Sequence, residues 1–252
     1  VSKHHESDFD RELLEELAKT SFGRAVRDFP IKYFHATLEG GEHLPREGGA
    51  LLVANHGFFG IDAGVLGMLV VRETGRQPRF LGERNLWKIP GLGGILSSVG
   101  ALPGEPVAAT EILARGELVI VYPGGVDDSF KGKDQKHRLQ WGTRAGFARV
   151  AMRARVPIIP VAGLGIDDMY AIVGHEKWLG RRLFGSRRYD FPIALGAFGT
   201  LFPRRRKQTY VALSPIDTSG DPENLDDVER VRRATFESLD ARLGEVRDTR
   251  EE

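Results

Sequence analysis

The chain contains no cysteine. Disulfides, cysteine-based zinc sites and thiol nucleophiles are therefore excluded, and a reducing compartment is permitted. It also lacks a long apolar run. The longest uncharged stretch, Ile89–Gly104, carries two prolines and five glycines. That falls short of the roughly 18 apolar residues that span a bilayer. The first residues, Val1-Ser2-Lys3-His4-His5-Glu6, lead into charges, so no secretory leader is expected. Net charge is close to absent, +1 over 252 residues, which removes the global basicity that marks a nucleic-acid binder. Aromatic residues are sparse at 9%, yet 14 of them are Phe.

What remains is an ordinary globular mixture, 41% hydrophobic and 28% charged, long enough for one large α/β domain. No repeat or Ser/Pro linker divides it. The expectation is a single domain over residues 1–252: an N-terminal helical segment (1–30), an α/β core (31–215) and a C-terminal helix (216–252). Asp8–Phe22 has helical apolar spacing, as do Ala63–Arg72, Val107–Arg115, Trp141–Arg153 and Pro222–Val246. Asp62 stands where it would cap the second of these. Strands are predicted at Tyr33–Leu38, Ala50–Ala54, Pro78–Gly82, Leu118–Tyr122, Val156–Ala162 and Tyr210–Leu213. Strands alternating with helices predict a largely parallel central sheet flanked by helices. In such sheets function collects in loops at the carboxyl ends of strands. Two such loops stand out, Asn55–Asp62 and Pro123–Lys133.

The first loop reads Asn55-His56-Gly57-Phe58-Phe59-Gly60-Ile61-Asp62. An imidazole ends a buried strand, glycines let the backbone bend, and a carboxylate follows. Folded back, Asp62 would hold one ring nitrogen and leave the other to take a proton. The alternative is a polar loop residue followed by an N-capping Asp. The second loop, Tyr122-Pro123-Gly124-Gly125-Val126-Asp127-Asp128, can form a concavity of backbone N–H groups, or simply a strand-ending turn. A third segment runs from Gly82 to Gly93, with Arg84 and Lys88 as its polar candidates. Its Gly91-Leu92-Gly93-Gly94 lacks the spacing of a dinucleotide loop. The acid pairs Asp127-Asp128 and Asp167-Asp168 lack a regular ligand spacing, so solvated loop acids or helix caps are expected there and no metal.

Four blocks occur in order: Asn55-His56…Asp62, Lys88-Ile89-Pro90-Gly91-Leu92-Gly93, Tyr122-Pro123-Gly124-Gly125 and Val156-Pro157-Ile158-Ile159-Pro160-Val161. In this the chain resembles the glycerolipid acyltransferase superfamily, whose prototype acts on 1-acylglycerol-3-phosphate. The resemblance runs from about Tyr33 to Leu213. Five residues separate His56 from Asp62 where four are common; the longer spacing is known in several branches. The family's Glu-Gly-Thr-Arg block is replaced by Gly125-Val126-Asp127-Asp128. The lost arginine is one that helps hold a phosphate, and an Asp pair repels one. The variant block is most similar to the branch of transmembrane protein 68 and the plant phytyl ester synthases, which implies a neutral acceptor such as mono- or diacylglycerol. Asp127 departs from the arginine of that branch, and Lys131, Lys133 and Arg138 are near enough to restore a phosphate site.

The resemblance implies direct acyl transfer from acyl-CoA or acyl-carrier protein, with His56 and Asp62 catalytic and no cofactor. Asn55, Gly57, Phe58, Phe59, Arg84, Lys88, Pro123, Gly124, Gly125, Val126, Asp128 and Lys131 are the candidate substrate contacts. The rivals are a lysophosphatidate acyltransferase and a non-catalytic lipid-binding protein.

Charge is unevenly spread. Glu176–Lys207 holds nine Lys/Arg and two acids, leaving the rest of the chain at −6. Aromatics interleave with these bases, which predicts contact with an anionic membrane surface through Trp178, Arg181, Arg182, Phe184, Arg187, Arg188, Phe198 and Phe202. The alternative is a core hairpin with a solvated basic face. The expected location is the cytoplasmic face of a membrane.

Overall fold

Ala50–Ala54 is buried at every residue. A strand with two apolar faces must lie inside a sheet that is covered on both sides. The structure is a computed structural model that describes residues 28–88, 92–98, 100–176 and 191–251. In it the strands are β1 (Thr37–Glu39), β2 (Ala50–Ala54), β3 (Arg79–Gly82), β4 (Ala101–Pro103), β5 (Leu118–Val121), β6 (Ile158–Leu164), β7 (Ala171–Glu176), β8 (Phe191–Leu195) and β9 (Thr209–Ala212). Among the described residues, seven of these form one sheet in the order β1-β9-β6-β2-β5-β3-β4. β2 pairs in parallel with β5 (Leu52 opposite Ile120) and with β6 (Leu52 opposite Ile159). β9 runs antiparallel to β6. β7 and β8 make a separate antiparallel hairpin.

The helices are α1 (Ile61–Thr74), α2 (Leu92–Ser98), α3 (Pro106–Ala114), α4 (Val126–Ser129), α5 (Gly146–Ala154) and α6 (Leu225–Glu251). The strand period of two divides the core. Ala50, Leu52 and Ala54 pack with Ile120, Ile159, Val161 and the Val65, Leu66, Leu69 and Val70 stripe of α1. Leu51 and Val53 face the other way, towards Ile112 and Leu113 of α3, Phe147 and Ala151 of α5, and Val231 and Leu239 of α6. No helix of the described residues is long and apolar enough to cross a membrane.

The parallel sheet flanked by helices is as expected. Several boundaries shift, and one expected cap is absent. Residues 28–33 are helical, and the first strand begins only at Thr37. The helix expected from Trp141 begins at Gly146. Trp141 instead lies fully buried in the preceding loop, edge-on to Phe147 at 5.3 Å and Phe236 at 5.5 Å. An apolar residue at helical spacing was filling the core from outside the helix. Asp62 does not cap α1; Gly60 occupies the N-cap, and no side chain bonds there. The expected Asp8–Phe22 helix lies outside the described residues, as do Trp178, Arg181, Arg182, Phe184, Arg187 and Arg188.

Because β2, β5 and β6 are parallel, their carboxyl ends share one edge. β9 is antiparallel to them, so the segment entering it, through Lys207, arrives at that same edge (Leu164 opposite Thr209). One side-chain pair locks the edge. Asn55 Nδ2 donates to the Gly163 carbonyl (2.9 Å), and the Gly163 N–H donates to Asn55 Oδ1 (2.7 Å). Both residues are buried, so Asn55→Ala leaves two backbone groups without partners. A loss of about 2–4 kcal/mol is expected in urea unfolding, with an unchanged m value.

Candidate active site

His56 lies two residues past the end of β2, and the chain reverses immediately after it. Phe59 and Gly60 take left-handed backbone angles (φ 62° and 70°). Such a φ is uncommon for a non-glycine residue and strains the backbone at Phe59. The reversal starts α1 so that its first turn faces back to the imidazole. The Asp62 carboxylate accepts from His56 Nδ1 at 2.9 Å. Asp62 is 1% exposed and His56 17%, so the acid is sealed while the base retains access to solvent. The bond to Nδ1 sets the tautomer and leaves the Nε2 lone pair available. A Cβ at Gly60 would be in ordinary contact with the imidazole, 3.6 Å from Cε1 and 3.9 Å from Nε2; the left-handed φ is what favours glycine there. A Cβ at Gly57 would meet Asp62 Oδ1 and the Ile166 carbonyl, both at 3.3 Å.

Tyr122, the first residue after β5, stacks on the His56 ring (centroids 4.1 Å apart, planes 21°). Burial, reinforced by the neighbouring Asp62, pushes its hydroxyl well above the usual tyrosine range, so it stays protonated. The Tyr210 hydroxyl donates to Gln208 Oε1 (2.8 Å) and lies 3.3 Å from the Asp62 carbonyl. The imidazole is thus held at its rim by Asp62 and on its face by Tyr122. Beside it stands an aromatic wall. Tyr170 meets Phe58 at 5.2 Å and Phe59 at 5.8 Å, and Phe130 meets Phe58 at 5.8 Å. Phe58 is buried, whereas Phe59 is half exposed.

The second loop brings acid rather than base. Pro123 and Gly124 are buried, Gly125 and Val126 half-buried. The Gly125 N–H donates to the Tyr122 carbonyl (2.9 Å), so that amide closes the turn rather than facing a ligand. A Cβ at Gly124 would lie 2.3 Å from the Asp128 carboxyl carbon; only glycine lets that acid fold under the turn. Asp128 is fully buried. Its Oδ1 accepts the Gln140 N–H (2.7 Å), and its Oδ2 has no partner. Lys131 is buried too, its Nζ 3.1 Å from Asp167 Oδ2 as an ion pair without an aligned hydrogen bond. Asp167 Oδ2 also accepts the His137 N–H (2.7 Å). Lys136 pairs with Asp168 (3.0 Å) and Arg144 with Asp127.

The four acids are therefore not the solvated loop acids or caps expected. Each is tied to a base or a backbone N–H, because partly buried charge needs a partner. Arg84 is exposed on the far flank of the sheet, bonded to the Gly104 carbonyl (3.1 Å) and paired with Glu105 (3.3 Å). Lys88 closes the helical turn that Arg84 opens, and its side chain lies outside the described residues. Asn55 has both amide atoms engaged by Gly163. Sequence reasoning missed Tyr122, Phe130 and Tyr170 as site residues. The first had a signal, since β2 and β5 are parallel neighbours with Val53 opposite Val121. The Lys131–Asp167 pair joins residues far apart in sequence and had none.

The acyltransferase family pattern matches residues 35–163, about half of the chain, and spans both loops. The chain belongs to the acyltransferase family. It is the family expected from the ordered blocks. The chain is 34% identical over 161 residues to a human protein named "DGAT1/2-independent enzyme synthesizing storage lipids", covering 64% of this chain and 49% of that one. An uncharacterized protein of Mycobacterium tuberculosis is 32% identical over 201 residues, covering 77% and 55%. The chain thus spans about half the length of the curated relatives it matches. In fold it is similar to the 1-acyl-sn-glycerophosphate acyltransferase PlsC of Thermotoga maritima. The TM-score is 0.56 at 18% identity, over 96% of this chain and 89% of that one.

The buried acid of this acyltransferase-family site makes stability depend on pH. Burial raises the Asp128 carboxyl above its usual range, and attraction to Lys131, the Gln140 N–H and His56 only partly opposes this. The folded state then holds the proton more tightly than the unfolded chain. Asp128 therefore weakens the fold as pH rises from the unfolded value of about 3.9 through the higher folded one. Asp128→Asn removes that term. Its stability relative to the parent should rise with pH across this window and level off above it, read by urea unfolding at several pH values.

Proposed function

We propose that this protein moves a fatty acyl group from a thioester donor, acyl-CoA or acyl-carrier protein, to the hydroxyl of a neutral glycerolipid such as mono- or diacylglycerol. The observation that carries the proposal is the His56 Nδ1–Asp62 bond at the open carboxyl edge of the sheet. With Nδ1 engaged, Nε2 takes the proton of the acceptor hydroxyl as its oxygen attacks the thioester carbonyl carbon. The tetrahedral intermediate collapses, the carbon–sulfur bond breaks, and the proton on Nε2 passes to the departing thiolate. The products are an ester and a free thiol. Asp62 steadies the imidazolium between these steps, and stacking on Tyr122 limits rotation of the ring. No metal or covalent acyl-enzyme is needed.

The neutral acceptor is supported by charge matching around the second loop. Lys131 faces Asp167, Arg144 faces Asp127, and the Asp128 carboxyl is added to them. A phosphate dianion brought beside Lys131 or Arg144 would meet a base already neutralised and a further acid, whereas Lys133 and Arg138 are exposed and form no ion pair with an acid among the described residues. The wall of Phe58, Phe59, Phe130 and Tyr170 is suited instead to an acyl chain or glycerol backbone. The name of the human relative, an enzyme synthesizing storage lipids, agrees with this reading.

His56→Ala should lower kcat by about 10²–10⁴-fold with the fold intact. Asp62→Asn should lower kcat with little change in KM, because the tautomer is lost rather than the binding surface. Unchanged transfer by His56→Ala would remove the base assignment. Lysophosphatidate and the two neutral glycerides, offered side by side to the purified protein, test the acceptor. Acylation of the glycerides is expected; acylation of lysophosphatidate alone would move the assignment to the phosphorylated lipid.

A further inference from the structure

The turn that follows β8 is built in an unusual way. Phe198 is fully exposed (102% relative to the free residue), Leu201 67% and Phe202 52%. A flexible loop would fold such side chains against the protein. This one is held open by its own bonds. The Gly196 N–H donates to the Thr200 carbonyl and the Ala197 N–H to the Phe202 carbonyl, both at 2.7 Å. Thr200 Oγ1 donates to the Ala197 carbonyl (2.8 Å) and accepts the Phe202 N–H (3.1 Å). Phe198 itself takes a left-handed φ of 53°. A Cβ at Gly196 would lie 1.8 Å from the Phe202 carbonyl oxygen, so the turn closes only with glycine there. A rigid backbone that holds a bulky phenyl group outward is the geometry of an anchor.

The anchor is joined to the active site. The Tyr170 hydroxyl donates to the Leu201 carbonyl (3.0 Å), and its ring packs on Phe58 and Phe59 beside His56. On the other flank Phe202 meets Tyr33 edge-on at 5.4 Å, and Tyr33 stacks on exposed Phe29. Behind the apolar tip runs Arg204-Arg205-Arg206-Lys207. Arg204 Nε holds the turn through the Gly196 carbonyl (3.1 Å). Arg205, Arg206 and Lys207 are exposed, and none forms an ion pair with an acid among the described residues. The topology brings this run to the same sheet edge as His56, because it enters β9 opposite the end of β6.

We propose that the Gly196–Phe202 turn inserts into the surface of an anionic lipid bilayer, with Arg205, Arg206 and Lys207 against the headgroups, and that this contact turns the Nε2 edge of His56 towards the lipid. The proposal rests on the lipid-acceptor reading. It commits to a bilayer rather than a protein partner because the tip is apolar, the rim is basic, and the pair stands beside a site for lipid substrate. Phe198 and Phe202 were expected at a membrane from sequence; the rigid turn, its link through Tyr170 and the shared edge are what the structure adds.

The full chain is mixed with vesicles of phosphatidylcholine, with or without phosphatidylserine, and sedimented. Binding is expected to need phosphatidylserine and to fall with salt. Phe198→Ser combined with Phe202→Ser should weaken it tenfold or more, about what the loss of two inserted rings implies. Arg206→Gln with Lys207→Gln should flatten the salt dependence. Transfer to a short-chain, water-soluble acceptor should survive in all four substitutions, while transfer to acceptor presented in vesicles falls in step with binding. Vesicle binding that ignores both pairs, or self-association in place of vesicle binding, would overturn the proposal. If the parent binds vesicles through this turn yet transfers no acyl group, the surface stands and the catalytic reading falls. If it transfers acyl groups but the turn variants still bind, the reverse holds.

Discussion

Everything chemical in this molecule is placed by one strand that water does not reach. Ala50–Ala54 is buried on both faces and paired on both edges in parallel, so its neighbours end where it ends. The residues after those ends, His56, Tyr122 and Ile166, have to share one small space. The Asn55–Gly163 bonds finish the pairing at the point where the ladder stops, where backbone groups would otherwise be buried without partners. The candidate base is therefore mounted just past a strand that is buried on both faces and paired on both edges. Its loop can carry a strained Phe59 because the strand behind it cannot move.

A second constraint follows from burial. Loops packed over the end of a sheet take their charged residues with them. Lys131 and Asp167 are both buried and neutralise one another, with the His137 N–H donating to the same Asp167 oxygen. Asp128 is the exception: one oxygen is bonded and one is not, and its carboxyl is correspondingly reluctant to ionise. The electrostatics of the second loop are thus set by which charges find partners across the chain, and hardly at all by the number of Lys and Arg nearby in sequence.

Much of this was legible in the linear order of residues. Ala50–Ala54 reads as a strand because five small or branched apolar residues leave no polar face. The helices α1, α3 and α6 read as helices from their apolar spacing. His56 and Asp62 were visible as a pair because their loop is short and carries glycines that can reverse it. Other features were hidden. Trp141 looked like the start of a helix, since a buried tryptophan carries the same signal whether it sits on a helix face or in a loop pressed against one. Asp62 looked like a cap because its position in sequence suits a cap, and only the left-handed Gly60 shows that the carboxylate turns elsewhere. Asp167 looked solvated because nothing within thirty residues revealed Lys131.

The sequence by itself determined the alternation of strands and helices, the family, and the two residues that form the candidate base and its orienter. These rest on local pattern and short spacing, which the chain carries with it in any conformation. Tertiary structure alone decided that Tyr122 lies flat against the imidazole, that Lys131, Lys136 and Arg144 each face an acid, and that an exposed phenylalanine turn stands at the same edge as His56. Those depend on strand order and direction, above all on β9 running against β6, and no residue encodes such a reversal until the strands have paired.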